Sequence, residues 1–279
     1  MDWLKNWNEA LDELERNLEG TIDTETLGRL AGCSAYHFQR MFPYLAGVPL
    51  SEYIRRRRMT RAAADLQNGE KVLDVALRYG YESPTSFNRA FQAVHGIPPS
   101  HAKQMGVKLK AFPRVHFKFV LKGAEEMEYQ IVKREAFRIV GFRTLLPMEV
   151  EESFQVVPKF WAEIGPQQAE LVPLMNGETA GILGVCTCCE EENYYYIAVA
   201  SSAPALEGMH EWTVPAATWA VFTGTGRLPD AMQELQRRIV SEYLPDSGYE
   251  WAKAPDIEVY LTPPGEESRF QVWLPVIKR

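Results

Sequence analysis

The sequence has no apolar run approaching the roughly 18 residues of a membrane span, so no membrane-spanning helix is expected. It has only four cysteines. Three of them crowd together as CTCC at Cys186, Cys188 and Cys189, with no histidine nearby and the wrong spacing for a zinc knuckle. They are expected to be ordinary strand residues, with no metal and no cofactor. The start, MDWLKNWNEALDELERNLEG, reads as an amphipathic helix with acids throughout rather than a signal peptide. Thiols without an export signal are expected to stay reduced in a cytoplasm. No nucleophile–base pair is legible either, because His95, His101, His116 and His210 have no partners at motif spacing. An enzyme is therefore not expected. A net positive charge is also missing: the balance over 279 residues is −7.

That acidity is unevenly spread. Residues 1–120 carry a net charge of +4 and residues 121–279 a net −11. The length suits two domains, and 46% apolar residues suffice for two cores. The basic half suits a polyanion. The acidic half suits a cation, or nothing beyond solubility.

What stands out in the basic half is an internal echo. Ser34, Phe38, Arg40, Phe42, Gly47 and Pro49 are matched, each 49 positions later, by Ser83, Phe87, Arg89, Phe91, Gly96 and Pro98. Each copy reads as a helix with an N-cap serine, and the second adds Pro84 at the first helical position. Phenylalanines four apart stack on one face and demand burial, and a glycine ends each helix. A shorter apolar helix lies upstream of each, Thr26 to Ala31 and Val72 to Tyr79, followed by Gly32 or Gly80. Short helix, tight turn and longer helix make a helix-turn-helix, whose second helix enters the major groove. The face opposite the phenylalanines carries Tyr36, Gln39 and Arg40 in one copy, and Thr85, Ser86, Asn88 and Arg89 in the other. Arginine can pair bidentately with guanine, and glutamine with adenine.

SAYHFQRMFPYLAGVPLSEYIRRRRMTRAAADL (34–66) and RYGYESPTSFNRAFQAVHGIPPSHAK (78–103) resemble the two signatures of the AraC/XylS DNA-binding domain. The resemblance implies an all-α domain whose recognition helices enter successive major grooves of double-stranded promoter DNA, with RNA polymerase as a further partner. By position it implies Tyr36, Gln39 and Arg40 as one base-reading set and Thr85, Ser86 and Arg89 as the other. Tyr36 stands where some members have tryptophan, so its contact would be to sugar or to a thymine methyl. The segment joining the motifs, Ser51 to Leu66, is helical in pattern but holds Arg55 to Arg58 and Arg61. Four consecutive arginines spread around a helix. Some are expected on phosphates, Arg58 among them, and the rest solvated or paired with acids such as Glu52 and Asp65.

The expected division is a DNA-binding domain over 1–108, a linker over 109–124 and a second domain over 125–279. Val115, Phe117, Phe119 and Leu121 alternate like a strand. Beyond them strands and helices mix: Tyr129 to Thr144 (a strand pair or one bent strand), helix Val150 to Ile164, and a hairpin from Gly181 to Ser201. Strand Thr218 to Gly226, amphipathic helix Asp230 to Tyr243, and strands Ile257 to Leu261 and Phe270 to Pro275 complete the half. This is an α+β layer arrangement, an antiparallel sheet with helices on one side. The chain is thus read as multidomain, all-α then α+β.

MEYQIVKREAFRIVGF, TVPAATWAVFTGTG and APDIEVYLTPP make the second half similar to the GyrI-like (gyrase-inhibitor-like) effector-binding domain. The resemblance implies a pocket for a bulky, hydrophobic, often cationic small molecule, lined by aromatics around a glutamate. Glu258 matches that glutamate by position, and Gln271 stands where some relatives place a second acid. On strand 256–261, alternation puts Ile257, Val259 and Leu261 on one face and Glu258 and Tyr260 on the other. With the aliphatic face packed on helices, Glu258 and Tyr260 would face a groove. Trp161, Trp219 and Tyr196 are the further candidates for its aromatic wall. A carboxylate among aromatics receives a lipophilic cation through counter-charge and cation–π attraction. Hydrolysis of reactive small molecules and docking of a protein partner are the alternatives for this half.

Overall fold

In a computed structural model, the structure describes residues 3–104, 106–117, 126–147, 150–187 and 193–278, with the side chains of residues 150–152 and 154 excepted. The chain divides into two compact units, Met1–Val120 and Leu121–Arg279.

The first unit is all-helical: α1 (Trp3–Arg16), α2 (Thr24–Ala31), α3 (Ala35–Ala46), α4 (Leu50–Gln67), α5 (Val72–Arg78) and α6 (Pro84–His95). The echo becomes two equivalent caps. Ser34 Oγ accepts from the His37 amide at 3.2 Å and Ser83 Oγ from the Ser86 amide at 3.1 Å. Gly47 and Gly96 close α3 and α6 in the left-handed region, at φ 71° and 77°, where a side chain would be strained. Behind α3, Phe38 stacks on Trp7 at 4.8 Å, and Phe42 meets Tyr53 at 5.4 Å. Behind α6, Phe87 and Phe91 pack with Met59, Ala62, Leu66, Val75 and Tyr79. Each fully buried aromatic contributes roughly 1.5–3 kcal/mol. Helix α4 serves both cores, so it joins the two helix-turn-helix units as a shared wall.

The arginines of α4 are used internally. Arg55 and Arg56 pair with Glu52, and Arg57 and Arg61 pair with Glu15 of α1. Asp65 bonds Arg78 and Tyr79 rather than any arginine of the run. The segment expected as a linker is described as far as Phe117, and to that point it lies against the first unit rather than spanning free. Val115 and Phe117 belong to no strand, and Phe119 and Leu121 lie outside the described residues.

The second unit is an antiparallel sheet with helices. Its elements are β1 (Tyr129–Arg134), β2 (Phe137–Leu145), α7 (Val150–Ile164), β3 (Ile182–Cys186), β4 (Tyr194–Ala200), β5 (His210–Val214), β6 (Ala217–Gly226), α8 (Asp230–Arg238), β7 (Tyr249–Trp251), β8 (Asp256–Tyr260) and β9 (Ser268–Lys278). A π-helical turn, Ile239–Tyr243, extends α8. Strands β5 and β7 escaped the sequence reading: one is short and polar at its exposed positions, the other only three residues long. The first two strands are not a hairpin. β1 pairs with β6, while β2 lies between β4 and β5. The expected hairpin of β3 and β4 forms, although residues 188–192 of its connection lie outside the described residues, Cys188 and Cys189 included.

Strand order is β1-β6-β9-β8-β3-β4-β2-β5. The order β6-β9-β8 mirrors β2-β4-β3, and in each of these three-strand sets a helix follows the strand that comes first in the chain. The sheet is therefore two similar halves meeting at the β8–β3 seam. In that seam Gly184 stands opposite Glu258. One face of the sheet buries Leu183, Val185, Tyr196, Trp219, Val221, Ile257, Val259 and Trp273 together. Helices α7 and α8 supply side chains to the other face, the Glu258 face. The expected placement, helices on the aliphatic face, is therefore reversed. Both faces are apolar enough to bury, so alternation alone does not say which one the helices cover.

Candidate functional site

On α3, Tyr36, Gln39 and Arg40 are half-buried along one side, and Arg40 Nη1 donates to the Tyr36 hydroxyl at 3.1 Å. On α6, Thr85, Ser86 and Arg89 are exposed. Ser86 spends its hydroxyl on the cap, donating to Ser83 O at 2.8 Å. Thr85 and Arg89 are thus the better-presented polar groups of α6, and Ser86 contributes more to holding its start.

Arg58 is elsewhere than expected. Its Nε donates to Leu18 O at 2.9 Å and its Nη2 to Gly20 O at 2.6 Å, tying α4 to the α1–α2 connection. Burial lowers its pKa from the ordinary arginine value. The spacing of four arginines on a helix could not show that one of them reaches carbonyls about 40 residues upstream. Arg58→Ala is expected to destabilise the first unit by about 1.5–3 kcal/mol, the range for hydrogen bonds to a charged group. It should leave the salt dependence of DNA binding unchanged. A log K against log[salt] slope reduced by about one would put Arg58 back on a phosphate.

In the second unit, Glu258 collects three hydrogen bonds. Tyr260 donates its hydroxyl to Oε2 at 2.7 Å, Tyr195 donates to the same oxygen at 3.0 Å, and Gln236 Nε2 of α8 donates to Oε1 at 2.8 Å. Trp161 of α7 completes the group. Its indole N–H donates to the Tyr195 hydroxyl at 3.0 Å, and its ring lies 4.6 Å from that of Tyr260. Burial, then the nearby Glu258 carboxylate, raises both phenols well above their ordinary pKa. They are held as neutral donors. Among the described residues, no lysine, arginine or histidine forms an ion pair with Glu258.

Gly184 makes room for this arrangement. A Cβ there would stand 2.2 Å from the Tyr195 hydroxyl and 3.1 Å from Glu258 Oε2. Tyr260 and Trp161 thus come together with Glu258, as expected from the sequence. Tyr196 and Trp219 do not: both are buried on the opposite face of the sheet, in the core with Trp273. Tyr196 pairs in register with Val185 and Trp219 with Pro275, positions whose side chains share the face away from Glu258. Gln271 also belongs to that face, where it accepts from Trp273 Nε1 at 2.9 Å. Tyr195, Gln236 and Gly184 were missed. Only the run Tyr194–Tyr196 hinted at a tyrosine on each face.

The comparisons with known proteins fall on the same two units. Residues 27–105 match the family described as "Helix-turn-helix domain", and residues 130–276 match Cass2, "Integron-associated effector binding protein". HTH-type transcriptional activator AarP of Providencia stuartii is 40% identical over 94 residues, covering 33% of this chain and 70% of AarP. The chain belongs to the AraC family of transcription regulators and carries a GyrI-like effector-binding domain. Multiple antibiotic resistance protein MarA of Escherichia coli (strain K12) is also 40% identical, over 90 residues, covering 32% of this chain and 71% of MarA. Among solved structures, SAV2435 bound to tetraphenylphosphonium is 25% identical with a TM-score of 0.49, covering 54% of this chain and 94% of that one. As an AraC-family member, the protein is a DNA-binding transcription regulator with a small-molecule effector domain. Among the described residues, no helix is long and apolar enough to cross a membrane.

Proposed function

We propose that this AraC-family regulator reads promoter DNA with α3 and α6 and responds to a lipophilic cation bound at Glu258. The carrying observation is the constitution of the Glu258 group: a carboxylate held by three neutral donors, walled by Trp161, Tyr195 and Tyr260, with no cation of the protein paired to it among the described residues. A carboxylate accepts about four hydrogen bonds, so an acceptor position remains for an incoming charge. Aromatic faces add about 2 kcal/mol or more per desolvated cation–π contact. Trp161 lies half-exposed across the tyrosines, so it is the group that moves aside for a ligand. Binding rather than turnover is favoured because both phenols facing Glu258 are held protonated, and neither is poised as a nucleophile.

On the DNA side, the reading assigns Arg40 and Arg89 to base edges, with Tyr36, Gln39 and Thr85 beside them. Arg89→Ala and Arg40→Ala should each lower affinity for a selected operator by about 1–3 kcal/mol and relax base preference at one position. Gel-shift titrations on the operator and on single-base variants read both effects. Binding equal to wild type in both variants would remove the assignment. RNA polymerase is the proposed protein partner and the cytoplasm the proposed compartment. Ligand binding regulates only through a difference in affinity between two states of the protein.

A further inference from the structure

Residues 107–117, expected as the start of a linker, run along α4 with their backbone bonded to side chains of the first unit. The Lys110 amide donates to His95 Nδ1 at 3.2 Å, and the Phe112 amide to Thr60 Oγ1 at 3.0 Å. The Val115 amide donates to the Tyr53 hydroxyl at 3.2 Å, and the Phe117 amide to Asn8 Oδ1 at 3.0 Å. Two carbonyls accept in turn: Phe112 O from Arg57 Nη1 at 2.6 Å and Phe117 O from Asn8 Nδ2 at 3.0 Å. Four side-chain acceptors thus stand where a strand would have a neighbouring strand.

The two ends of this segment sit in different cores. Leu109 packs against the α6 core, and His95, which anchors Lys110, is the last residue of α6. Because Nδ1 accepts, Nε2 carries the proton and donates to Met59 O at 3.0 Å. Phe117 meets Trp7 and Phe42 edge-on at 5.9 Å and 6.4 Å, in the α3 core. From Phe112 to Val115 the chain reaches roughly 10 Å at ~3.3 Å per residue. That matches the step from Thr60 to Tyr53 along α4 at ~1.5 Å per residue. The contacts run backwards along α4, from Met59 and Thr60 to Arg57 to Tyr53, so the segment is antiparallel to it.

We infer that residues 109–117 act as a second strut beside α4, fixing the separation and twist of the two recognition helices and hence the half-site spacing the protein accepts. The inference rests on the reading that α3 and α6 contact DNA. A single helix joining two units leaves them free to twist about its ends. A second attachment beside it, anchored in both cores, removes that freedom. Successive major grooves on one face of the duplex are roughly 10 base pairs apart, and adding one pair rotates a half-site by about a tenth of a turn. A braced pair of helices cannot follow that rotation at low cost.

The test uses the full chain, an operator selected with the wild type, and versions with one base pair inserted or deleted between the half-sites. The variants are Asn8→Ala with Lys110→Pro, which removes two of the four anchors, and Thr60→Val alone. Wild type should bind the altered operators about tenfold or more weakly, the scale of a lost base contact. Both variants should keep near-wild-type affinity for the original operator, with the penalty for altered spacing shrinking to about threefold or less. An unchanged spacing penalty in folded variants overturns the strut, and so does a wild type indifferent to spacing. Should the double variant fail to fold, Thr60→Val decides. Arg40→Ala and Arg89→Ala are run alongside. They should weaken binding at every spacing, so a failure of the recognition-helix reading shows separately from a failure of the strut.

Discussion

In the Glu258→Gln variant, stabilisation of the protein by a lipophilic cation such as ethidium disappears, while its thermal stability without ligand changes little. Glutamine keeps an oxygen for Tyr195 or Tyr260 and loses only the charge, so the hydrogen-bonded group persists in outline. The charge is what the cation uses. Removing one partner of a buried, hydrogen-bonded charge pair costs roughly 2–5 kcal/mol, or about 30- to several thousand-fold in affinity. For the wild type, ligand at 100 times Kd adds about 2.7 kcal/mol of stability, well within reach of a thermal-shift measurement. The full chain is titrated with the cation, a neutral aromatic of similar size and an aromatic anion. Equal stabilisation of wild type and Glu258→Gln by the cation would show that the carboxylate does not carry recognition. Stabilisation by the neutral compound and the cation alike would leave a hydrophobic pocket without charge selectivity. Gly184→Ala should abolish the response in every arm, because its methyl would collide with the Tyr195 hydroxyl.

The second large effect concerns the first unit. Glu15→Ala is expected to lower its stability by about 3–5 kcal/mol, the usual result of removing one partner of a buried ion pair. Glu15 is only 4% exposed. Its Oε1 accepts from the Tyr53 hydroxyl at 2.7 Å and from Arg57 Nε at 2.8 Å, and Oε2 accepts from Arg57 Nη2 at 2.9 Å. Alanine would leave the Arg57 guanidinium with only the Phe112 carbonyl as acceptor and the Tyr53 hydroxyl without its present one. Tyr53 also anchors the Val115 amide, so the strut would loosen at the same point. For a unit of this size the loss corresponds to a fall in Tm of roughly 10–20 °C. Scanning calorimetry of the full chain reads it as a shift of one transition. An unshifted transition would mean that Glu15 contributes no net stability.

The same carboxylate gives a pH signature. Burial raises its pKa, but the hydrogen bonds from Arg57 and Tyr53 and the charges of Arg57 and Arg61 outweigh burial and hold it below the ordinary 4.5. A carboxyl lowered on folding stabilises the folded state above its unfolded pKa. That stability is lost as pH falls from about 4.5 through the lower folded value. Acid should therefore narrow the gap between wild type and Glu15→Ala.

Much of the first unit was visible in the sequence because its signals are local. A capping serine, a glycine closing the helix and phenylalanines four apart are read within one helix, and repeating them 49 residues later marks a second copy. The same locality explains the success with α7, β6 and α8, whose periodicity spans each whole element. What failed were destinations. Arg58 has the composition of a phosphate contact, but its partners are Leu18 O and Gly20 O. A long side chain goes where the fold brings an acceptor, and no local pattern records that. Residues 109–117 read as a linker for a related reason: their partners are single side chains on α1, α4 and α6, not a periodic neighbour.

By itself the sequence determined two units, two helix-turn-helix motifs and a strand carrying Glu258 and Tyr260 on one face. Alternation along a strand is a property of the backbone and needs no neighbour to be true. Only the tertiary structure decided which other residues join them. Of the three consecutive tyrosines Tyr194 to Tyr196, Tyr195 faces Glu258 because Cys186 stands opposite it while Gly184 stands opposite Glu258. A register shifted by one residue would have exchanged Tyr195 for its neighbours and sent Tyr196 to the site. That register is set by cross-strand packing over the whole sheet, which no single segment of the chain contains.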